Sequence, residues 1–138
     1  MVKKSVVLHN FAHIFLPFFI FILIFNNFSK IETEKIFIAV FIGSFFPDID
    51  HLAMKRTYEK FSDLLKYCWN SDRYRKSFLV FHNSITILIV SVSAFVFMKV
   101  NFLISIFLIS FLSHLILDIL TDRLLIKSHG HWNIRSWI

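Results

Sequence analysis

At 138 residues the chain has room for one domain, and its 57 % hydrophobic content, 19 Phe and mean hydropathy of +0.67 are high for a water-soluble domain of that size. Two Gly and two Pro argue against a turn-rich β architecture, and the single cysteine, Cys68, excludes an intrachain disulfide or a cysteine-based zinc ribbon. The formal charge of +6 suits nucleic acid or a membrane. The basic residues stand between apolar runs rather than among stacking aromatics, so they read as membrane-flanking charges and no nucleic acid partner is expected.

The first apolar segment covers about residues 6–28, long enough to cross hydrocarbon as a helix. Its apolar stretch from Ile14 to Phe25 is followed by Asn26-Asn27-Phe28-Ser29, which lacks the small residues of a signal-peptide cleavage site, so a retained anchor is expected. The second, 36–46, would extend only about 16 Å as a helix and so be tilted, partly embedded or lengthened by its polar flank. A polar, basic, partly helical link fills 52–77. The third segment runs over 78–98 and the fourth over 102–120. Their Ile, Val and Phe would suit strands in water, but their length, and the need for a backbone in lipid to satisfy its own polar groups, favour helix. The predicted fold is therefore all-α: one integral membrane domain over 1–138, a membrane-embedded bundle of about four helices.

Lys and Arg set the orientation. Lys3 and Lys4 precede the first segment, and Lys55, Arg56, Lys60, Lys66, Arg73, Arg75 and Lys76 crowd the long link. Arg123, Lys127 and Arg135 lie in the tail, whereas the link between the third and fourth segments has only Lys99. Excess Lys and Arg marks cytoplasmic loops, so both termini and the long link are expected inside, with the chain passing back and forth between them. That topology places every other notable polar group at one depth. His9 and His13 fall at the inner end of the first segment, Asp48, Asp50 and His51 at that of the second, His82 at that of the third, and His114 with Asp118 at that of the fourth.

Imidazoles and carboxylates beside hydrocarbon are costly and call for a purpose. Pro47-Asp48-Ile49-Asp50-His51 packs two carboxylates and an imidazole into one short stretch. Pro47 disfavours helix at Phe46, and an extended or turning backbone would let Asp48 and Asp50 point the same way. The bland reading is a helix stop with solvated acids. His114 and Asp118 stand one helical turn apart on one face, a spacing by which a helix offers two metal ligands, and Asp122 extends that face. The bland reading there is a hydrogen-bonded pair within a bundle. His82 gains meaning from sharing the depth of the other clusters, with Asn83 and Ser84 able to orient ligands from behind. His9 and His13 also share one helical face, one as a ligand and the other as its support, in an order the spacing leaves open. His129 and His131 in the tail belong either to a loop over the site or to an interfacial segment anchored by Trp132 and Trp137, the reading favoured here. Carboxylate plus imidazole suits zinc, manganese or iron, zinc first. No phosphate-cradling Gly loop, nucleophile elbow or His-Glu-x-x-His stretch occurs.

The order of an early His, Phe46-Pro47-Asp48-Ile49-Asp50-His51, a basic link, His82-x-Ser84 opening an apolar helix, and Ser113-His114-Leu115-Ile116-Leu117-Asp118-Ile119-Leu120-Thr121 resembles the YdjM-like family of inner-membrane proteins. That family is identified with membrane-bound metal-dependent hydrolases. The likeness covers nearly the whole chain and is most specific at Pro47–His51 and Ser113–Thr121. It implies that Asp48, Asp50, His51, His82, His114 and Asp118 line a divalent metal site, joined by His13 or His9. One departure stands out: the family's His-Arg-Gly-x-Thr-His-Ser block keeps only its second His and its Ser, with Ser77 at the first His, which leaves open a smaller metal complement or an inactive relative. A more distant similarity in motif style to zinc-dependent phospholipase C suggests a phosphoester substrate, such as a phospholipid headgroup. A metal-activated water would do the chemistry, with Asp48 or Asp50 as its base. The alternatives are a non-catalytic scaffold or metal-binding protein of the bilayer, or an ion transporter, the last disfavoured because the outer halves carry few polar groups beyond serines.

Overall fold

The computed structural model describes residues 4–27, 33–50, 80–121 and 123–124. Among them every regular element is helical: α1 (Lys4–Asn27), α2 (Thr33–Phe45), a 3₁₀ turn (Phe46–Asp48), α3 (Ser84–Val100) and α4 (Phe102–Thr121). His51, Asp122, the expected 52–77 link, Cys68 and the tail with His129, His131 and its two tryptophans lie outside the described residues.

The helices alternate in direction. α4 is the central element and packs along α2 and α3, with α1 lying against α2 and α4. Ile20 of α1, Ile36 and Val40 of α2 and Ile106 of α4 form a buried apolar cluster at one end. Nearer the other end, Val90, Phe111 and Leu115 are buried with Phe46, Phe81 and Phe107 packed around them. The rings of Phe46 and Phe107 meet at 5.6 Å and those of Phe81 and Phe111 edge-on at 5.7 Å, within the range where aromatic pairs attract. α2 and α4 approach closely at Gly43, where a Cβ would collide with the carbonyl oxygen of Phe107, so the contact requires a residue without a side chain.

Outside and inside are reversed relative to a soluble protein. Leu8, Phe11, Phe15, Phe19 and Ile22 of α1 and Leu88, Val92 and Phe95 of α3 are exposed, while Ser44, Ser105, Ser110, His114 and Asp118 are buried. An apolar exterior of this extent needs lipid or another apolar partner. Two helical stretches, Val7–Ile24 and Phe102–Thr121, are long and apolar enough to cross a membrane, while α3 at 17 residues and α2 at 13 are shorter.

Local chemistry sets the boundaries. The third helix starts at Ser84 rather than near 78, because Asn83 takes an extended conformation and caps it: Asn83 Oδ1 accepts from Thr86 N–H at 2.9 Å, and Asn83 Nδ2 donates to the carbonyl of Val80. Asn101 alone reverses the chain. Its N–H donates to Phe97 O at 2.8 Å to finish α3, and its side chain accepts from Ile104 N–H at 3.2 Å to begin α4. The Ser105 hydroxyl then donates to Ala94 O at 2.9 Å, tying α4 back to α3 in the interior. Pro47 does not force an extended backbone. α2 tightens into the 3₁₀ turn, and Ile49 after it is helical (φ −60°, ψ −31°). Helical backbone turns side chains two residues apart away from one another, so Asp48 and Asp50 do not share a face and address different imidazoles.

Candidate metal centre at the polar end of the bundle

Asp118, buried on α4, is the hub. Its Oδ1 lies 2.9 Å from His13 Nε2 and 3.7 Å from His9 Nε2, both on α1. Its Oδ2 lies 2.9 Å from Nε2 of His82, before α3, and 3.2 Å from Nε2 of His114, one turn earlier on α4. His114 Nε2 is also 3.5 Å from Asp48 Oδ1. Residues from two helices, the 3₁₀ turn and the stretch before α3 thus meet around one carboxylate. The ligand-type atoms of His9, His13 and Asp118, and separately those of Asp48, His82 and His114, lie within 4.8 Å of one another, so each trio could hold a metal ion.

The tautomers of two rings follow from their outer contacts. Thr121 Oγ1 donates its hydrogen to Leu117 O at 2.8 Å, so it accepts from His9 Nδ1 at 2.6 Å. His9 therefore carries its proton on Nδ1 and turns the Nε2 lone pair toward Asp118. Asp50 Oδ2 accepts from Phe81 N–H at 3.1 Å and from His82 Nδ1 at 3.0 Å, so a neutral His82 ring would likewise turn its Nε2 lone pair inward. A lone pair facing a carboxylate is repulsive unless a proton or a metal cation stands between them. Donation of the remote ring N–H to a carboxylate or hydroxyl is also the usual setting of a metal-bound histidine. His13 and His114 contact each other through Nδ1 atoms 3.3 Å apart, a bond served by a single proton.

The inner atoms do not satisfy one another. His13 Nε2, His114 Nε2 and Asp118 Oδ2 are buried, yet none has a partner in hydrogen-bonding geometry, despite N–O separations near 3 Å. Two donors bound to one tetrahedral zinc at about 2.0–2.1 Å stand about 3.3 Å apart, and the separations of 2.9 to 3.7 Å around Asp118 bracket that value. The mixed nitrogen and oxygen set fits zinc, manganese or iron.

His13, Asp48, Asp50, His82, His114 and Asp118 are all at this centre. Asp50 meets it indirectly, through His82. His9 is placed as well as His13 to face the hub, where the spacing left the two interchangeable. Of the two residues expected to orient ligands, Asn83 directs its side chain to the α3 cap and Ser84 is exposed. Thr121 was not singled out in the sequence. Its position one turn beyond Asp118 on the same helical face is the signal that could have found it.

The match to a known family now falls on a chain whose polar residues have been placed. The family model described as YdjM inner membrane protein matches residues 8–124, which takes in every residue of the centre. No curated protein and no solved structure matches the chain. With most of its length covered by that match, the chain belongs to the YdjM inner membrane protein family.

Proposed function

We propose that this protein is a membrane-bound metal-dependent hydrolase of the inner membrane, acting on a phosphoester presented at the membrane surface, such as a lipid headgroup. The observation that carries the reading is the convergence of four imidazole Nε2 atoms on the buried Asp118 carboxylate. Burying an ionised carboxylate among neutral rings is costly, and a divalent cation offsets that cost at every ring simultaneously. His13, His114 and Asp118 would hold the metal directly, with His9 and His82 completing the set and Thr121 and Asp50 keeping those two rings in the ligand tautomer.

A bound divalent metal supplies an acidified water and an electrophilic contact for a phosphoryl oxygen. The protein's own part is to position and to shield. Asp118, His114 and His82 side chains are no more than 9 % exposed, whereas Asp48 is 44 % exposed, so the centre opens on the Asp48 side. A substrate reaches it there, and Asp48 is placed to take the proton from the attacking water. Asp50 is the poorer base because its carboxylate is buried and engaged by Phe81 N–H and His82. The excess of Lys and Arg at the amino terminus, in the 52–77 link and in the tail supports both termini, and this end of the bundle, being cytoplasmic. Transport is a weaker reading: the imidazoles and aspartates of the described residues gather at one end, while the far end is packed with Ile20, Ile36, Val40 and Ile106.

The test is metal content and hydrolysis by the full chain purified in detergent. Zinc or another transition metal is expected to copurify. Turnover of bis(p-nitrophenyl) phosphate or of phospholipid vesicles should be lost on chelation and restored by metal. Protein that takes up no more metal than an Asp118→Ala variant would overturn the reading.

A further inference from the structure

We propose that the centre is built for two cations, with Asp118 as a carboxylate bridge between them. The inference rests on the metal-binding reading above and concerns how many ions the cluster holds and which residues hold each.

The division lies in the two oxygens of Asp118. Oδ1 is approached by the α1 pair, with Nε2 of His13 at 2.9 Å and Nε2 of His9 at 3.7 Å. Oδ2 is approached by the other pair, with Nε2 of His82 at 2.9 Å and Nε2 of His114 at 3.2 Å. A centre for one ion would gather its nitrogens about a single oxygen, or about both oxygens together. Here each oxygen has its own two imidazoles, and the two ligand groups close enough for an ion divide in the same place: His9, His13 and Asp118 on one side, Asp48, His82 and His114 on the other. Paired carboxylate-bridged ions are a recurring device for clamping both oxygens of a displacement at phosphorus, about 3.5–4 Å apart.

Each position has one ring whose tautomer is already settled. Thr121 fixes His9 for the first, and Asp50 fixes His82 for the second. The other two rings, His13 and His114, touch across the divide through their Nδ1 atoms and share one proton. In the neutral pair the accepting ring keeps its single proton on Nε2, so with both positions filled that ring either loses the proton to solvent and binds as imidazolate, or moves it to Nδ1 and gives up the bond between the two rings. Asp48 stands at the outer side of the second position, 3.5 Å from His114 Nε2. Each position then has three protein donors, two imidazoles and one Asp118 oxygen, and Asp48 keeps the place beside the second from which it serves a water as base.

The experiment uses the full chain in detergent, stripped with chelator, reloaded with Mn(II) and desalted. About two Mn(II) per chain by mass spectrometry, with an exchange-coupled electron paramagnetic resonance spectrum, are expected for a bridged pair. His9→Gln/His13→Gln and His82→Gln/His114→Gln are each expected to lower the content to about one ion, with the spectrum of an isolated Mn(II). One ion per wild-type chain with an isolated-ion spectrum would overturn the bridge and leave the single-metal reading standing. Two ions without exchange coupling would also overturn it. No bound ion in wild-type protein would overturn both. The wild-type measurement decides by itself should either double variant fail to fold.

Discussion

The two ends of this bundle are made from the same four helices and behave as different materials. At one end, Ile20, Ile36, Val40 and Ile106 interlock through shape and dispersion. At the other, four imidazole Nε2 atoms lie 2.9–3.7 Å from Asp118, and His13 Nε2, His114 Nε2 and Asp118 Oδ2 are buried with no partner in hydrogen-bonding geometry. The apolar end is packed by side chains alone, whereas the polar end gathers groups that could hold a metal ion. The long helices connect the two, so the apolar end sets the positions from which the imidazoles reach inward. In a fold where lipid is as apolar as the core, close packing rather than water exclusion supplies the cohesion, and the close contact at Gly43 is its clearest instance.

Substitutions can separate the two ends. Asp118→Ala removes the hub, and metal affinity is expected to fall by more than about 100-fold, beyond the range seen when a mere supporting group is lost, as read by zinc or manganese titration. The same variant should still be helical and monodisperse in detergent. Ile106→Ala is the converse. It is expected to cost about 2 kcal/mol of stability, measured by thermal or denaturant unfolding in detergent, while metal content per folded chain stays unchanged. If Ile106→Ala emptied the centre, the ends would not be separable in the way described. Gly43→Ala sits between them, and its Cβ must push against backbone at Phe107 and the Ser110 Cβ. The expected cost is about 1–3 kcal/mol from overpacking, with reduced metal occupancy as α2 and its Asp48 shift relative to α4. The smallest effect is expected for Asn83→Ala, about 1 kcal/mol from loss of the α3 cap, with metal affinity nearly unchanged because Asn83 caps a helix rather than orienting a ligand. A large loss of metal in that variant would restore the orienting role that its position next to His82 suggests.

Some of this arrangement was legible in the residues. The alternation of apolar runs with basic and lean links made an all-helical bundle with back-and-forth helices the natural reading, and that alternation alone puts His9, His13, Asp48, His82, His114 and Asp118 at one end. Periodicity works for such questions because a helix repeats its face every few residues, whatever lies around it. It worked less well at the boundaries. Phe78 to Phe81 reads as helix by composition, but the reach of Asn83 Oδ1 to Thr86 N–H places the start at Ser84. At Pro47 the expected extended or turning backbone is a 3₁₀ turn followed by a helical Ile49, and with it Asp48 and Asp50 address different imidazoles instead of pointing the same way.

The chain alone determined the helical class, the antiparallel order and the common depth of its imidazoles and carboxylates, since these depend on hydropathy and spacing along one strand of polymer. Only the folded bundle decided that Asp118 is the hub and that His9 and His13 take one of its oxygens while His82 and His114 take the other. It also decided that Thr121 and Asp50 fix two tautomers. Those are relations between residues up to 112 positions apart, and they depend on the rotation of each helix about its axis, which close contacts such as Gly43 against Phe107 set and no local pattern records.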